Sequence, residues 1–195
     1  MPRQPEFTRE HAVDAALKLF WRRGYTATSL PELLQAMGIA RSSFYGSFSD
    51  KRSLYIECLE LFGDRTRAIL TDVAGSGDGL AAITAFFDAT VLDVPNHRLT
   101  RGCMMVNTVL ELADVDPELQ ALGRRKLDQV QEEFERLLQN AIDRGDLNIK
   151  PTASELAEVL MTLNLGLRVQ SRKQPDRAKL NQTINTSLAM IGLAA

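Results

Sequence analysis

Apolar positions recur every three or four residues along almost the whole chain, and no stretch alternates convincingly over the length of a strand. The expected fold class is therefore all-α. Val13, Ala16, Leu17 and Phe20 mark the inner side of a first helix from about Thr8 to Gly24, a glycine suited to a left-handed C-terminal cap. "TSLPELLQAMG" then opens a second helix, with Thr28 or Ser29 as N-cap, Glu32 at capping-box spacing from Ser29, and Pro31 in the first turn, where its missing N–H is tolerated. That helix stops at Gly38. Only a Gly38-Ile39 turn precedes the next helical stretch, Arg41 to Phe48, and Ile39 of the turn and Phe44 of the stretch are directed toward the first two helices. Two short helices joined by so brief a glycine turn form the helix-turn-helix signature.

The pattern continues as a long fourth helix from Asp50 to about Val73, with Leu54, Cys58, Leu61 and Phe62 inward, and a loop is expected at Gly75 to Gly79. A fifth helix spans Gly79 to Asp93 and carries Phe86 and Phe87. After the Pro95-Asn96 break, a sixth is expected over Gly102 to Ala113. Asp116-Pro117 opens a seventh, lined by Leu119, Leu122, Leu127, Val130, Phe134, Leu137 and Leu138 up to Gly145. Thr152 and Glu155 form a capping box for an eighth that continues to about Arg172, and a ninth follows Pro175 to the C-terminus. About nine helices result. They divide into a three-helix helix-turn-helix part over residues 1–52 and a second helical part over residues 53–195, with the fourth helix as the join.

Composition narrows the class. The chain has 195 residues, 45% of them hydrophobic, enough for a buried core. No run approaches the roughly 18 apolar residues of a membrane helix, and "MPRQPEFTRE" lacks the apolar segment of a secretory signal, so a cytoplasmic location is expected. Cys58 and Cys103 have neither metal-ligand spacing nor a disulfide framework, and reduced thiols, no metal and no cofactor are expected. The net charge of -2 conceals an asymmetry: residues 1–55 balance at +3 and the remainder at -5. A polyanion would be drawn to the first part and repelled by the rest.

In a helix-turn-helix the second helix enters the major groove, so bulky groups face the core and compact polar ones face DNA. Ser42 and Ser43 permit close approach, Arg41 can reach guanine or a phosphate, and Tyr45 and Lys51 stand where backbone contacts are made. Thr28 can donate to a flanking phosphate. Singly, each is equally an exposed cap or a solvated side chain; together they need a polyanionic partner. A helical protein-interaction module without DNA binding would leave this surface without purpose. A thiol-dependent hydrolase built on His97, Cys103 and Glu111 has no oxyanion-hole motif to support it.

Residues 8–55, including "ALKLFWRRGYTATSLPELLQAMGIARSSFYGSFSDKRSLY", resemble the N-terminal DNA-binding domain of the TetR family of bacterial transcriptional regulators. The resemblance places Thr28, Arg41, Ser42, Ser43, Tyr45 and Lys51 on positions that commonly contact DNA. Ala40 departs from the family's capping Ser or Thr, and Ser47 from the aromatic or His before the Phe. It further implies a homodimer built on the last two helices and a small-molecule pocket among the fifth to seventh. The apolar rows Leu156, Val159, Leu160, Leu163, Leu167 and Leu180, Ile184, Leu188, Ile191 suit either that dimer or a monomer core. Two-fold pairing would set two readers on a pseudopalindromic operator.

"RGCMMVNTVLELADVDPEL" resembles a TetR subgroup that often carries Gly-Cys here, and some relatives respond to electrophiles or oxidants through cysteine. Cys103 is thus either a sensor, favoured by an adjacent helix N-terminus and Arg101, or a small buried hydrophobe. Phe86, Phe87, Met104, Met105 and Phe134 either line an apolar pocket, with Asn107 and Glu111 orienting a ligand, or form plain core. The implied function is a repressor released from its operator by a small molecule or by modification of Cys103.

Overall fold

Side-chain caps set where the helices begin. In a computed structural model, which describes residues 8–74 and 79–193, the Thr8 hydroxyl accepts from His11 N–H and starts α1, Arg9–Arg23. The Glu32 carboxylate accepts from the Ser29 N–H at 2.9 Å and opens α2, Leu30–Met37. Next comes α3, Arg41–Ser47, and then the Asp50 carboxylate takes the Ser53 N–H at 2.7 Å at the head of α4, Lys51–Ala74. These backbone bonds hold the Glu32 and Asp50 carboxyls below the usual carboxylate range.

Residues 75–78, the bulk of the expected Gly75 to Gly79 loop, lie outside the described residues, and Gly79 already belongs to α5, Gly79–Phe87. Here α5 runs on as a π-helical turn, Asp88–Leu92, and the expected sixth helix is preceded by a single turn, α6, Asn96–Leu99. Gly102 at φ 68 separates that turn from α7, Met104–Glu111. The long α8, Pro117–Arg144, ends at Gly145 (φ 77); α9, Ala153–Lys173, opens on the Thr152–Glu155 capping box; and α10, Arg177–Met190, opens on Asp176. The described residues are helical throughout, apart from their connections. None of these helices is long and apolar enough to cross a membrane.

The chain gathers into two compact units, Met1–Gly63 with Cys103–Arg124, and Asp64–Gly102 with Arg125–Ala195. Both α4 and α8 contribute residues to each. In the first unit, Phe20, Leu33, Phe44, Leu54, Tyr55, Cys58 and Met104 are buried, and α7 packs beside α1. Tyr55 meets Phe20 edge-on at 4.9 Å, and its hydroxyl lies 2.7 Å from that of Thr108, which in turn donates to the Met104 carbonyl. The buried Tyr55 hydroxyl is therefore satisfied, and burial raises its pKa. Cys58 is likewise pushed up by burial, which makes it a poor nucleophile.

The second unit is organised by Phe86, Phe87 and Phe134. All three are fully buried, with Phe86 edge-on to Phe134 at 5.1 Å and Phe87 stacked on it at 6.2 Å. Ile83, Leu138, Leu156, Leu160, Leu180 and Ile184 are buried in the same unit. The π-helical turn is held by arginines on its backbone carbonyls: Arg168 donates to Thr90 O, and Arg177 to Leu92 O and Val94 O.

Phe134→Ala removes one ring from the closed triad and is expected to destabilise the protein by about 3–5 kcal/mol, read as a lowered urea midpoint.

Candidate nucleic-acid interface

The turn between α2 and α3 is made by one backbone conformation. Gly38 adopts φ 68, ψ 31, so its own N–H reaches Gln35 O and that of Ile39 reaches Leu34 O, closing the end of α2. A Cβ here would meet nothing within 4 Å, so glycine is needed for the torsion and not for space. Ala40 stands as N-cap of α3 without a side-chain cap. Phe44 (0% exposed) and Phe48 (4%) turn into the core, which leaves Arg41, Ser42, Ser43 and Tyr45 facing out. Tyr45, 55% exposed, leans edge-on against Phe44 at 5.4 Å. The outer side of α3 is thus a short row of hydrogen-bonding groups with one cation and one ring, shallow enough at the serines for a groove floor to approach.

The loop from Gly24 to Ser29 supports this surface through bonds to its own backbone. Thr28 is buried, and its hydroxyl donates to the Gly24 carbonyl at 2.6 Å. Lys51 Nζ donates to the carbonyls of Tyr25 and Thr28, each at 2.9 Å, and lies 4.2 Å above the Tyr25 ring. Burial lowers the Lys51 pKa, and the charge of Glu111 opposes that shift. Thr28 and Lys51, expected at phosphates, are therefore engaged within the chain, although the ammonium still has a third N–H to offer.

Glu111 completes the loop from the other side: Oε1 accepts from the Thr26 N–H at 2.7 Å and Oε2 from the Tyr25 N–H at 3.1 Å. Gly24 adopts φ 84 with an extended ψ of 174 instead of the expected left-handed helical cap, and a Cβ on it would collide with the Glu111 carboxylate. Arg52 forms a second tie, with Nε 2.7 Å from Asp116 and Nη2 2.6 Å from Glu118. The Asp116 carboxyl is held low, first by Arg52 and then by the Leu119 N–H it caps, and the Arg52 guanidinium is held more firmly protonated. Neither the bonds of Glu111 to this loop nor the Arg52–Asp116 pair can be read from the sequence, because partners some 60 to 90 residues apart leave no local spacing.

The other proposed site residues fall into separate surroundings. Cys103 is 3% exposed and occupies the N-cap of α7, where its carbonyl accepts from the Asn107 N–H at 2.9 Å. Met104 is buried in the same unit, Asn107 is half-buried, and the Glu111 carboxylate is already occupied by backbone. Phe86, Phe87 and Phe134 close on one another in the second unit.

In the rows considered for dimerisation, Leu156, Leu160, Leu167, Leu180, Ile184 and Leu188 are buried within the chain itself, where α9 packs on α10. Leu163 and Ile191 are half-buried. The apolar groups left open on these helices are Val159 (48%), Val169 (58%) and Met190 (82%). Apolar residues at helical spacing look alike whether they face a neighbouring helix or a second molecule, which is why the sequence left both readings open.

Comparison with known proteins bears on what this surface meets. A family model described as bacterial regulatory proteins, tetR family, matches residues 12–58, and one described as tetracyclin repressor-like, C-terminal domain, matches residues 79–187. The chain is 28% identical over 193 residues to the uncharacterized HTH-type transcriptional regulator YezE of Bacillus subtilis (strain 168), covering 98% of this chain and 100% of that one. It is 26% identical over 167 residues to the HTH-type transcriptional repressor NemR of Escherichia coli (strain K12), covering 85% and 84%. The crystal structure of NemR in its reduced form superposes with a TM-score of 0.78 at 23% identity over 94% of this chain and 96% of that one, a likeness of fold. A cysteine mutant of the regulator CifR, complexed with 26 bp double-strand operator DNA, superposes with a TM-score of 0.69 at 28% identity over 96% of this chain and 98% of that one.

At neutral pH, Asp116→Asn is expected to lower the thermal midpoint. Because the fold depresses the Asp116 pKa, the ion pair stabilises above the ordinary aspartate value of about 3.9 and is lost as pH falls through the lower folded value. The gap between wild type and variant in thermal scans should accordingly be widest near pH 7 and narrow toward pH 3, at which a value of about 3.9 is already passed.

Proposed function

This chain belongs to the tetR family of bacterial regulatory proteins, a family of DNA-binding transcriptional regulators and not of enzymes, and from that premise we propose that it is a cytoplasmic homodimeric repressor of a pseudopalindromic operator. The observation that carries the reading is the one-sided α3: Phe44 anchors it, and Arg41, Ser42, Ser43 and Tyr45 face outward from a fixed turn. Arg41 and Ser43 read base edges, Ser42 allows close approach, and Tyr45 and the remaining N–H of Lys51 bind phosphate. Thr28 acts through the loop it closes. Residues 1–52 serve as the reader, and residues 53–195 supply effector response and dimerisation. That NemR is a repressor, and that CifR was captured on operator DNA, supports the same role here.

Dimerisation uses the outer sides of α9 and α10. Val159, Leu163, Val169 and Met190 are the apolar groups available to a second copy, with Ile191 beside them, while the buried leucines hold the two helices together. An α10 outer surface of Asn181, Gln182, Asn185, Thr186 and Ala189 suits this, because it sets no like charges against each other across a two-fold axis.

The effector acts as a small molecule or through Cys103. A thiol that is 3% exposed at the N-cap of α7 cannot gain a substituent without shifting that helix, and the reduced form of NemR and the cysteine mutant of CifR direct attention to thiols in this family. Release requires that the modified or liganded state have lower operator affinity than the free state.

The test is a fluorescence-anisotropy titration against an operator selected by the protein from random double-strand DNA, at two salt concentrations, before and after a thiol-reactive electrophile, with Cys103→Ser as control. Tight, salt-sensitive binding that the electrophile abolishes in wild type alone supports the whole reading. Binding indifferent to the electrophile removes Cys103 and leaves a non-covalent effector. Tyr45→Ala is expected to weaken all sequences alike, and Arg41→Ala to change which sequence is preferred at roughly 1–3 kcal/mol. Met190→Asp together with Val159→Asp is expected to give monomers in sedimentation and a large loss of operator affinity, since each monomer then binds a single half-site.

A further inference from the structure

The loop between α1 and α2 is held from both sides by residues of α4 and α7. Its carbonyls, Tyr25 O and Thr28 O, receive the Lys51 ammonium from the first residue of α4. Its amides, Tyr25 N–H and Thr26 N–H, point into the Glu111 carboxylate from the last residue of α7. Gly24 has no side chain because the carboxylate occupies that space, and its φ of 84 with extended ψ aims the two following amides at one acceptor. Such paired amides are a backbone anion site, here filled by the protein's own side chain.

We propose that Glu111 is a positioning residue that makes DNA reading conditional on the placement of α7. α2 begins directly after this loop, so the loop's geometry sets where α2, and with it α3, projects. The helix that carries Glu111 is not free to flex locally. A Cβ on Gly123 of α8 would stand 3.1 Å from Val109 Cγ2 and 3.3 Å from Met105 O, so α7 and α8 touch almost backbone to backbone. Displacement of α7 therefore moves Glu111 as part of a rigid body and opens bonds whose strength falls steeply with distance and angle. The loop then loses its amide-side acceptor while Lys51 still pulls on its carbonyls.

This inference rests on the chain being a DNA-binding regulator. It is tested with Glu111→Gln and Glu111→Ala on the full chain, with the exposed neighbour Leu110→Ala as control, using the operator selected by the wild type. Glu111→Ala is expected to lower operator affinity roughly 10-fold or more, with Glu111→Gln intermediate because one oxygen still accepts. The slope of affinity against salt should stay that of the wild type, because no phosphate contact is removed. Hydrogen exchange should show loss of protection at one of the Tyr25 and Thr26 amides in Glu111→Gln and at both in Glu111→Ala, with α1 and α4 still protected. Affinity within about twofold of wild type in folded Glu111→Ala, retained protection at both amides in Glu111→Gln, or a shallower salt slope would each overturn the proposal. Wild-type protein that selects no DNA would instead overturn the regulator reading, and this inference with it.

Discussion

A helix of seven residues cannot persist in water by itself, because the cost of its first turn is not recovered over so few bonds. α3 exists because Phe44 and Phe48 are drawn into the core while the residues between and before them are left outside. Burying a side chain of that size contributes about 1.5–3 kcal/mol, which a row of serines could not supply. The arrangement also dictates register. With Phe44 fixed inward and Gly38 fixed in its left-handed turn, the positions of Arg41, Ser42, Ser43 and Tyr45 on the outer side follow without further choice.

The charged residues around this reader are used differently from what their types suggest. Lys51 bonds to carbonyls, Glu111 to amides, and Arg52 to the acidic pair at the head of α8. Each partly buried charge is matched by backbone dipoles or an opposite charge, as a medium of reduced dielectric requires. A loop of six residues has in this way acquired partners on α4 and α7 for groups that would otherwise depend on water.

What could be read from the sequence was what is local. Thr8, the Ser29–Glu32 and Thr152–Glu155 pairs, Pro31, Gly38 and Gly145 act within a turn of their own position, and the helices begin and end there. The one-sidedness of α3 was equally legible, since Phe44 among serines has a single sensible orientation. Thr28 and Lys51 were legible as polar groups near the reader, but not as groups whose donors are engaged by the loop. The bonds of Glu111 were not legible, because nothing near residue 111 mentions Tyr25 and Thr26. The leucines of α9 and α10 carried too little information, because the same period serves the inside of a monomer and the seam of a dimer. The short α6 and the π-helical turn escaped because both are decided by what α9 and α10 bring to residues 90–96.

The length of that π-helical turn is tied to the arginines that meet it. A π turn closes its hydrogen bonds over one residue more than an α-helical turn. Removing one residue from Asp88–Leu92 would restore regular winding, yet it would rotate everything that follows by about 100° relative to α5. The carbonyls of Leu92 and Val94 would then turn away from Arg177, and that of Thr90 from Arg168. The two arginines therefore tie the length of the chain here to the placement of α9 and α10: shortening the turn by one residue costs all three bonds at once.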